Sequence, residues 1–492
     1  MRSFGLYING QYVHTGAFSL VIPPAEFPPT PFAQCAILQQ NGPEEIMEAA
    51  LQGAHETFVQ IQKGFFPLAE RLQFLKRFRE KLASNADFLS LLLCQEVGKP
   101  LKLARVELQR ALDVCDWTLI EAPRVFSPEG LPSLSRAAWQ NVSAWVQREP
   151  RGPLLAITPF NYPVNLVLHK LVPAIAAGCP VILKPSPKSA ATAMAIADTF
   201  HAAGLPPGML SVLNTDNAVA ERLIKDPRIQ QISFTGSAAV GWKIRSQVSV
   251  PCFLEMGGNA PVYVDASANL GAAAEKLSQG GFSYAGQLCI SVQNISVHPD
   301  VAVKFRELMI EATRKIIWGS PRNESVIAGG VIDAAAADRL NEARESALKA
   351  GARIVAEAGE PLDLNPETLK SNPTFLRPTL LEGAPLSHPF VSEELFGPYI
   401  HLDTTANWKT WAERINENKY RFQASLFTQD LSTAMQAARE IQFGSFFVNE
   451  STSFRMDPMP FGGRGQSGTS SEGPRYALED YTERKTVVIN PG

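Results

Sequence analysis

The stretch Leu154-Leu155-Ala156-Ile157-Thr158 opens the part of the chain that decides the fold. It is the first of four short apolar runs, and stretches with a helical pattern separate them. This alternation predicts a parallel, doubly wound α/β sheet with helices on both faces, which binds ligands at the carboxyl ends of its strands. The other runs are Val181 to Lys184, Leu210 to Leu213 and Gln230 to Phe234, and the predicted helices are Asn165 to Ala177, Ser189 to Ala203 and Ala218 to Ile224.

The chain before this block has a helical pattern, and the chain after it alternates again. A short predicted strand begins at Met1, and four later segments have apolar residues at three- and four-residue spacing. Residues 125–148 predict a protruding hairpin, residues 252–448 a second α/β domain, and residues 358–372 a loop. The expected helices are Glu44 to Phe58, Leu68 to Ala83, Ala86 to Val97 and Leu103 to Trp117, then Gly271 to Ser278, Ala302 to Ile316, Ala334 to Lys349 and Ser432 to Ile441.

Length and composition exclude several classes of protein. A chain of 492 residues is too long for one hydrophobic core and suggests two or three domains. Its 45% apolar residues, 19% charged residues and net charge of -3 are those of an ordinary soluble protein, and its scattered basic residues form no nucleic-acid-binding stripe. The longest apolar stretch, Leu171 to Leu183, is too short to span a bilayer. We therefore expect neither nucleic acid nor a membrane as a partner.

The cysteines indicate a reducing environment. The six of them form no Cys-x-x-Cys pair and have no histidine partner at metal spacing, so we expect neither a disulfide framework nor a metal site. The first residues lack the apolar core of a signal peptide. Together these features predict a cytoplasmic protein.

Cys289 is the candidate nucleophile. It lies in the small polar run Gly286-Gln287-Leu288-Cys289-Ile290-Ser291, and Glu255 lies upstream, beside a pair of glycines. A thiol can form a covalent acyl intermediate, and a carboxylate in an apolar setting can act as a general base toward water. The two together would make and then hydrolyse a thioester. The alternative for Cys289 taken alone is a small buried hydrophobic residue.

Polar groups follow three of the predicted strands. Gly236 and Ser237 end one strand and open a helix, so their backbone amides could face a pyrophosphate; the alternative is an ordinary helix cap. Lys184 could bond ribose hydroxyls or a phosphate, or it could be a solvated lysine at a strand end. Asn161 could donate to a developing oxyanion, or it could form a turn beside Pro163.

Taken in order, these motifs resemble those of the aldehyde dehydrogenase superfamily. The resemblance covers the chain from about residue 5 to its end, and seven short motifs in the family's order are not expected by chance. The motifs are Pro159-Phe160-Asn161-Tyr162-Pro163, Lys184-Pro185-Ser186, Phe234-Thr235-Gly236-Ser237, Glu255-Met256-Gly257-Gly258-Asn259, Gly286-Gln287-Leu288-Cys289, Glu393-Glu394-Leu395-Phe396-Gly397-Pro398 and Pro460-Phe461-Gly462-Gly463.

The resemblance implies both an architecture and an activity. It implies a doubly wound, Rossmann-like cofactor domain in residues 1–124 and 149–254, an α/β catalytic domain in residues 255–448, and small β oligomerisation elements in residues 125–148 and 470–492. The implied activity is oxidation of a small-molecule aldehyde to its carboxylic acid, through a cysteine thiohemiacetal and thioester, with NAD or NADP as cofactor. Relatives are dimers or tetramers, so we expect a homodimer or a homotetramer.

The resemblance also implies a role for individual residues. Cys289 matches the family nucleophile, Glu255 the general base, and Asn161 the side chain that shares the oxyanion with the Cys289 amide. The implied cofactor positions are Lys184 for the adenosine ribose, Gly236 and Ser237 for the pyrophosphate, Glu394 and Phe396 for the nicotinamide ribose and ring, and Ile157, Thr158, Pro159, Phe160, Ser186, Pro187, Val240, Met256 and Gly257 around them.

Two stretches depart from the family pattern. Many NAD-specific relatives have a glutamate three residues after the match to Lys184, where this chain has Pro187. A 2′-phosphate would therefore not be repelled, Lys184 or Lys188 could attract it, and the choice between NAD and NADP stays open. Residues 464–472, Arg-Gly-Gln-Ser-Gly-Thr-Ser-Ser-Glu, stand where relatives have Lys and then Ser-Gly-x-Gly-Arg-Glu, so we expect the local loop and the subunit contacts to differ.

The substrate is the least determined part of the prediction. Residues 454–459 and 161–165 resemble the lactaldehyde and glyceraldehyde-phosphate branch of the family. The guanidinium of Arg455 could bind a phosphate or a carboxylate through two parallel hydrogen bonds, or Arg455 could be an exposed surface arginine. Tyr162 and Ile290 are further candidate substrate contacts. No side chain alone names the aldehyde.

Two other functions compete with aldehyde oxidation to an acid. The first is an acylating or reductive relative, in which coenzyme A or an acyl phosphate replaces water. Such enzymes generally lack a base at the position of Glu255. The second is a catalytically idle binding protein on the same fold, in which Cys289 or Glu255 would be missing.

Overall fold

The first of two large sheets contains the strands that the sequence predicted. The computed structural model describes residues 2–25, 30–131 and 141–490, and its strands are numbered along the chain. In this sheet β12, β11, β8, β9 and β10 are parallel neighbours, buried nearly throughout because helices cover both faces. In spatial order it contains β12 (Cys252–Met256), β11 (Gln231–Gly236), β8 (Leu154–Ile157), β9 (Val181–Lys184), β10 (Leu210–Val212), β2 (Leu6–Ile8) and β3 (Gln11–Val13).

The last two strands of this sheet form an antiparallel hairpin. Asn9 and Gly10 connect β2 to β3, and both have positive φ angles, 48° and 86°. A two-residue turn with both φ angles positive matches the twist of the strands, and Asn-Gly is the sequence that best tolerates it. The short N-terminal strand expected from the sequence is divided into β1 (Arg2–Phe4), which lies in a small separate sheet, and β2, which is part of this hairpin.

Eight helices belong to this part of the chain. The most buried is α5, in which every residue is buried. Glu107 of α4 holds its first turn by accepting hydrogen bonds from the amides of Val164 and Asn165, at 2.8 and 3.0 Å, and Gly178 ends it in the left-handed conformation. The helices are α1 (Glu44–Gln62), α2 (Leu68–Ser84), α3 (Ala86–Val97), α4 (Leu101–Val125), α5 (Asn165–Ala177), α6 (Ala190–Ala202), α7 (Asn217–Lys225) and α8 (Ala238–Arg245).

The second large sheet forms the other half of the fold. Its strand pairs are parallel except for β15 with β16, and its buried residues form separate hydrophobic clusters from that of the first sheet. In spatial order it contains β15 (Arg353–Glu357), β16 (Thr379–Glu382), β17 (Tyr399–Thr404), β14 (Asn294–Val297), β13 (Pro261–Val264), β19 (Gln423–Phe427) and β20 (Ser445–Val448). Its helices are α9 (Leu270–Phe282), α10 (Pro299–Arg314), α11 (Ala334–Lys349), α12 (Pro366–Ser371), α13 (Pro389–Ser392), α14 (Trp408–Asn416) and α15 (Leu431–Glu440).

Three small sheets and one helix complete the described part. The predicted C-terminal strand is present, and it pairs antiparallel with β7 over eight residues. The small sheets contain β1 (Arg2–Phe4), β5 (Ala33–Ala36) and β4 (Phe18–Val21), then β18 (Tyr420–Arg421) and β21 (Arg464–Gly465), and finally β22 (Thr482–Ile489), β7 (Ser143–Pro150) and β6 (Glu129–Gly130). The helix is α16 (Pro474–Asp480), and no helix of the described residues is long and apolar enough to cross a membrane.

Most predicted elements are confirmed; α1 and α9 each end four residues later than predicted, and three further segments differ more. Both ends of α3, α5 and α11 are as predicted. The helix expected to end at Trp117 continues to Val125, because Thr118 and Ala122 extend its buried face. The expected hairpin is therefore shorter, and residues 132–140 of it lie outside the described residues. The expected loop at residues 358–372 contains α12, whose first turn the side chain of Asn365 caps.

Candidate active site

Four neighbouring strands bring the predicted cofactor residues to one edge of the first sheet. Ile157 pairs with Lys184 on one side and with Phe234 on the other, and Gly236 pairs with Met256. The carboxyl ends of β8, β9, β11 and β12 therefore meet. Residues that directly follow these ends are Thr158, Pro159, Phe160, Ser186, Pro187, Ser237 and Gly257, and Val240 lies half-exposed on α8.

These strand ends fit a dinucleotide. Gly236 ends β11 and Ser237 stands at the N-cap of α8, the place where backbone amides bind phosphate groups. The buried hydroxyl of Thr158 has no hydrogen-bond partner among the described residues, and it lies where a ligand bound at the carboxyl ends would supply one. Lys184 is nearly buried, and its ammonium donates only a long 3.4 Å bond to the Pro185 carbonyl.

Lys188 is not free to attract a 2′-phosphate. Its ammonium lies 2.8 Å from the carboxylate of Asp333, which also caps the first turn of α11. An ammonium already paired with a carboxylate attracts a second anion less strongly. Of the two lysines considered from the sequence, Lys184 is therefore the better placed for that role.

The loop that carries Cys289 has an unusual backbone. Tyr284, Ala285 and Gly286 are consecutive residues with positive φ angles of 53°, 52° and 69°. A side chain at Gly286 would bring its Cβ within 2.0 Å of the Gly397 carbonyl oxygen, so only glycine fits there. Strained backbone of this kind occurs at functional sites. Here it places Cys289 against the segment that contains Glu394 and Phe396.

Glu255 lies deep beside Cys289. It belongs to β12, is 2% exposed, and neither of its carboxylate oxygens has a hydrogen-bond partner among the described residues. Burial raises its pKa to about 8, the negative charge of Glu472 adds to the shift, and Lys170 and Arg455 oppose it. A carboxyl group with this pKa can accept a proton near neutral pH and release it again.

The thiol of Cys289 is held in its protonated form. Burial raises its pKa well above the usual value, and the nearby charges of Glu255 and Glu394 raise it further, while Arg455 lowers it. A thiolate is the nucleophilic form, so the thiol must lose its proton before it can attack. Glu255 is the adjacent base.

Asn161 lies next to the cysteine loop. It is 5% exposed, and its side-chain amide donates a 3.0 Å hydrogen bond to the carbonyl of Gln287, two residues before the nucleophile. The Gln287 side chain in turn accepts a hydrogen bond from the Ile332 amide and donates to the Tyr284 carbonyl. These bonds fix the amide of Asn161 relative to Cys289.

A buried ion pair supports Glu255, and the sequence analysis did not identify it. The ammonium of Lys170, on α5, lies 2.9 Å from Glu472 and 3.0 Å from the Ser233 hydroxyl. Glu472 also accepts a hydrogen bond from Thr235, and although its burial acts in the opposite direction, Lys170 and other positive neighbours lower its pKa to about 2. A lysine in an otherwise apolar helix is the sequence feature that could have indicated this pair.

Arg455 belongs to the same buried cluster. Its side chain is 6% exposed, so the exposed surface arginine considered from the sequence is wrong. The guanidinium lies 3.3 Å from Glu472 and 3.0 Å from His169, and its carbon lies 3.6 Å from the ring centre of Phe461. Both contacts come from one terminal nitrogen, Nη2, and the buried Nε has no hydrogen-bond partner among the described residues.

A second arginine, Arg110, extends this cluster toward solvent. Its guanidinium binds both carboxylate oxygens of Asp457, at 2.9 and 3.1 Å, and is 19% exposed. Asp457 also bonds His169, at 3.0 Å, and both partners keep the pKa of Asp457 well below its usual range. The phenol of Tyr162 lies close to these groups: it is within electrostatic range of Arg110, Arg455 and Cys289.

The remaining predicted substrate contact follows the nucleophile directly. Ile290 is buried, and its carbonyl accepts a 3.0 Å hydrogen bond from Thr452. The residue that follows Cys289 is therefore held in place. Tyr162 and Arg455 lie within electrostatic range of Cys289. Arg110 was missed because it lies on a helix whose pattern indicates only amphipathicity.

The divergent loop 464–469 fastens the strand that carries Glu255. Ser467 donates to the Gly257 carbonyl, at 2.8 Å, and its own carbonyl accepts from the Met256 amide. Thr469 exchanges bonds with β12, through Leu254 and the carbonyl of Cys252. The loop therefore differs in sequence but still covers the outer edge of β12 and leads directly into Glu472.

Glu394 and Phe396 lie on a segment pressed against the glycine pair after β12. The Gly258 amide donates a long 3.4 Å hydrogen bond to the Glu394 carboxylate, and a Cβ at Gly257 would lie 2.0 Å from that carboxylate. Burial raises the pKa of Glu394 to about 7. Phe396 has a positive φ of 59°, and its ring meets Phe160 edge to face.

The fold and this site define an oxidoreductase that uses a dinucleotide and a cysteine. A parallel sheet presents the turn of Gly236 and Ser237 at its carboxyl edge, and the partly buried thiol of Cys289 and the buried carboxylate of Glu255 lie close to one another beside that edge. Comparison with known proteins identifies the family.

The comparisons agree with one another. A family model described as "Aldehyde dehydrogenase family" matches residues 29–487. The chain is 34% identical over 492 residues to 3-sulfolactaldehyde dehydrogenase of Priestia aryabhattai, covering 100% of this chain and 98% of that protein. It is 31% identical to lactaldehyde dehydrogenase of Methanococcus maripaludis, covering 88% and 90%. The crystal structure of NADP-dependent glyceraldehyde-3-phosphate dehydrogenase from Bacillus halodurans C-125, complexed with NADP, matches with a TM-score of 0.92 at 28% identity and covers 100% of both chains.

The chain belongs to the aldehyde dehydrogenase family. The resemblance found from the seven motifs and the α/β fold class are thereby confirmed. The protein is an NAD(P)-dependent aldehyde dehydrogenase that oxidises an aldehyde to its acid.

Replacing Glu472 by glutamine should lower the pKa of Glu255. The substitution removes a repelling negative charge and leaves Lys170 and Arg455 positive. In infrared difference spectra the carboxylic-acid band of Glu255, assigned with Glu255→Gln, should titrate at a lower pH than in the parent protein. Glu311→Gln, at an exposed carboxylate, should leave the midpoint unchanged. A midpoint that stays or rises would show that Glu472 does not act on Glu255.

Proposed function

We propose that Cys289 and Glu255 perform the oxidation through a thioester and its hydrolysis. The proximity of this partly buried thiol to this buried carboxylate, at the carboxyl edge of the first sheet, carries the proposal. Glu255 accepts the thiol proton, and the thiolate sulfur adds to the aldehyde carbon. The amides of Asn161 and of the Cys289 backbone donate to the resulting oxyanion, and one such donor contributes about 3 kcal/mol in other enzymes. NAD or NADP, when bound, supplies the acceptor for the hydride.

The second half of the reaction uses Glu255 again. Once Glu255 has released the thiol proton to solvent, its carboxylate takes a proton from water as the water oxygen attacks the thioester carbon, and the carbon–sulfur bond then breaks to release the acid and the thiolate. Two oxygens without protein partners leave Glu255 free to bind that water. The presence of this base supports hydrolysis over transfer to coenzyme A, and the presence of both residues supports a working enzyme over an idle binding protein.

We also propose that the substrate is a short 2-hydroxyaldehyde with an anionic group at its far end. Two of the relatives are named for 3-sulfolactaldehyde and glyceraldehyde-3-phosphate, which both have this form. Arg110 can receive the anion, since Asp457 occupies its Nε and Nη2 and leaves Nη1 available. The positive charge of Arg455 adds to the electrostatic potential near Tyr162. Tyr162 and Ile290 border the substrate.

The catalytic roles predict two distinct kinetic defects. Cys289→Ala should abolish formation of reduced cofactor, because no thiohemiacetal can form. Glu255→Gln should slow hydrolysis more than acylation and leave a burst of reduced cofactor approaching one per active site. Both are measured by stopped-flow absorbance of the reduced nicotinamide. Turnover by pure Cys289→Ala, or steady hydrolysis at the parental rate by Glu255→Gln, would remove that residue from the mechanism.

The substrate class predicts a charge-dependent effect of Arg110. Arg110→Met should lower kcat/KM for 3-sulfolactaldehyde at least about tenfold more than for lactaldehyde, which lacks the sulfonate, because a charge-assisted bond is lost. Arg110→Lys should recover part of the difference, and Arg105→Met, on the exposed face of the same helix, should change neither value. Equal losses for both aldehydes would reject Arg110 as the anion contact.

We further propose a cytoplasmic homodimer or homotetramer. All six cysteines are free thiols, which supports a reducing compartment, and cell fractionation tests that placement. The strands β22 and β20 end their sheets, and β22 exposes Val488 and Ile489. Edge strands with exposed apolar residues tend to be covered by another chain.

Light scattering should give a mass of at least twice 53.6 kDa at micromolar concentration. Val488→Lys, a charged residue on the exposed strand, should shift the protein toward the monomer. A parent protein that is monomeric under these conditions would reject the oligomer.

A further inference from the structure

The side chain of Gln293 brackets the backbone on both sides of Glu394. Its amide nitrogen donates to the carbonyl of Glu393, at 2.7 Å, and to that of Phe390, at 3.2 Å. Its amide oxygen accepts a 3.0 Å hydrogen bond from the Leu395 amide. One buried side chain, 5% exposed, therefore fixes the residue before Glu394 and the residue after it.

The position of Gln293 in the chain connects two parts of the site. It follows the nucleophile Cys289 by four residues and directly precedes β14, and its own carbonyl accepts a 2.8 Å bond from the His401 amide. The backbone of Gln293 is therefore anchored in the second sheet. The hydrogen bonds of its side chain fix the segment holding Glu394 and Phe396 relative to that sheet. The same stretch of chain carries the nucleophile, so both depend on one anchored segment.

Other side chains hold the same segment one turn earlier. Asn259 and Asn294 both donate to the Val391 carbonyl, at 3.2 and 2.9 Å. The side chain of Glu393 is bound separately by Lys419 and Tyr420. After Glu394, the guanidinium of Arg339 donates a 2.8 Å hydrogen bond to the Leu395 carbonyl. Loss of the Gln293 bonds would therefore loosen the backbone next to Glu394 while these anchors stay in place.

We propose that Gln293 is a positioning residue for the nicotinamide half of the cofactor. It holds the carboxylate of Glu394 against Gly257 and Gly258 and holds Phe396 edge to face with Phe160. The buried amide nitrogen and oxygen of Gln293 bond three backbone groups. Another orientation of this side chain would leave buried polar atoms without partners. The inference rests on the proposed contacts of Glu394 and Phe396 with the nicotinamide ribose and ring.

The test compares binding of whole and truncated cofactor. Gln293→Met keeps the length and loses the hydrogen bonds, and it should weaken binding of NAD and NADP about tenfold or more, measured by isothermal titration. Binding of ADP and of 2′,5′-ADP, which lack the nicotinamide ribose and ring, should stay within about twofold of the parent. In turnover, kcat should fall and the KM for aldehyde should change little. A general loss of structure would instead weaken both classes of ligand.

Two controls separate this role from damage elsewhere. Asn416 makes the same kind of bracket far from the site, binding the Glu440 carbonyl and the Gln442 amide at 2.8 Å each, and Asn416→Leu should leave cofactor binding unchanged. Acylation of Cys289 by 4-nitrophenyl acetate needs no cofactor and should proceed at the parental rate in Gln293→Met, which shows that the cysteine loop is intact.

The outcomes distinguish the inference from the function on which it rests. Unchanged affinity for NAD and NADP in Gln293→Met, or an equal loss for ADP and 2′,5′-ADP, would overturn the positioning role. A parent protein that binds neither dinucleotide would overturn the cofactor assignment itself. A selective loss for the whole dinucleotide with normal acylation supports the inference.

Discussion

The active site depends on the buried ion pair between Lys170 and Glu472. Lys170 comes from the helix behind the first sheet, and Glu472 comes from a loop 302 residues later in the chain. Removing one member of such a pair leaves a charge without compensation and typically costs about 3 to 5 kcal/mol. Thr235 and Ser233, on β11, complete their hydrogen bonds. Helix, strand and loop are thereby fixed to one another directly beneath Glu255.

This arrangement controls the charge state of the catalytic pair. Glu255 faces one negative neighbour, Glu472, and two positive ones, Lys170 and Arg455, in a setting where burial already favours the neutral carboxyl group. Cys289 is likewise held as a thiol by burial and by negative neighbours. When the pair holds a single proton, its transfer between the two adjacent groups leaves the net charge of the buried site unchanged. A chain of contacts between positive and negative side chains continues toward the solvent through Arg455, His169, Asp457 and Arg110.

Two loops place the chemical groups. The loop 464–469 covers the outer edge of β12, which would otherwise be an open edge strand beside Glu255. The cysteine loop uses three consecutive left-handed residues before Cys289. The segment 394–397 packs against glycines of both parts of the site: a Cβ at Gly257 would lie 2.0 Å from the Glu394 carboxylate, and a Cβ at Gly286 would lie 2.0 Å from the Gly397 carbonyl oxygen. Glycines thus permit the close approach of segments that are distant in the chain.

The sequence by itself determined the parallel sheet, most of its helices and the family to which the chain belongs, because strand and helix periodicity and short motifs are local properties. Both ends of α5 and α11 followed from such local patterns. Only the tertiary structure decided that Arg455 is buried, that Lys170 pairs with Glu472 and that Gln293 brackets Glu394. Arg455 and Glu472 are 17 positions apart in the chain, Lys170 and Glu472 are 302 apart, and Gln293 and Leu395 are 102 apart. No periodicity of the sequence encodes such contacts. They form because each buried polar group must find a partner wherever the packed chain supplies one.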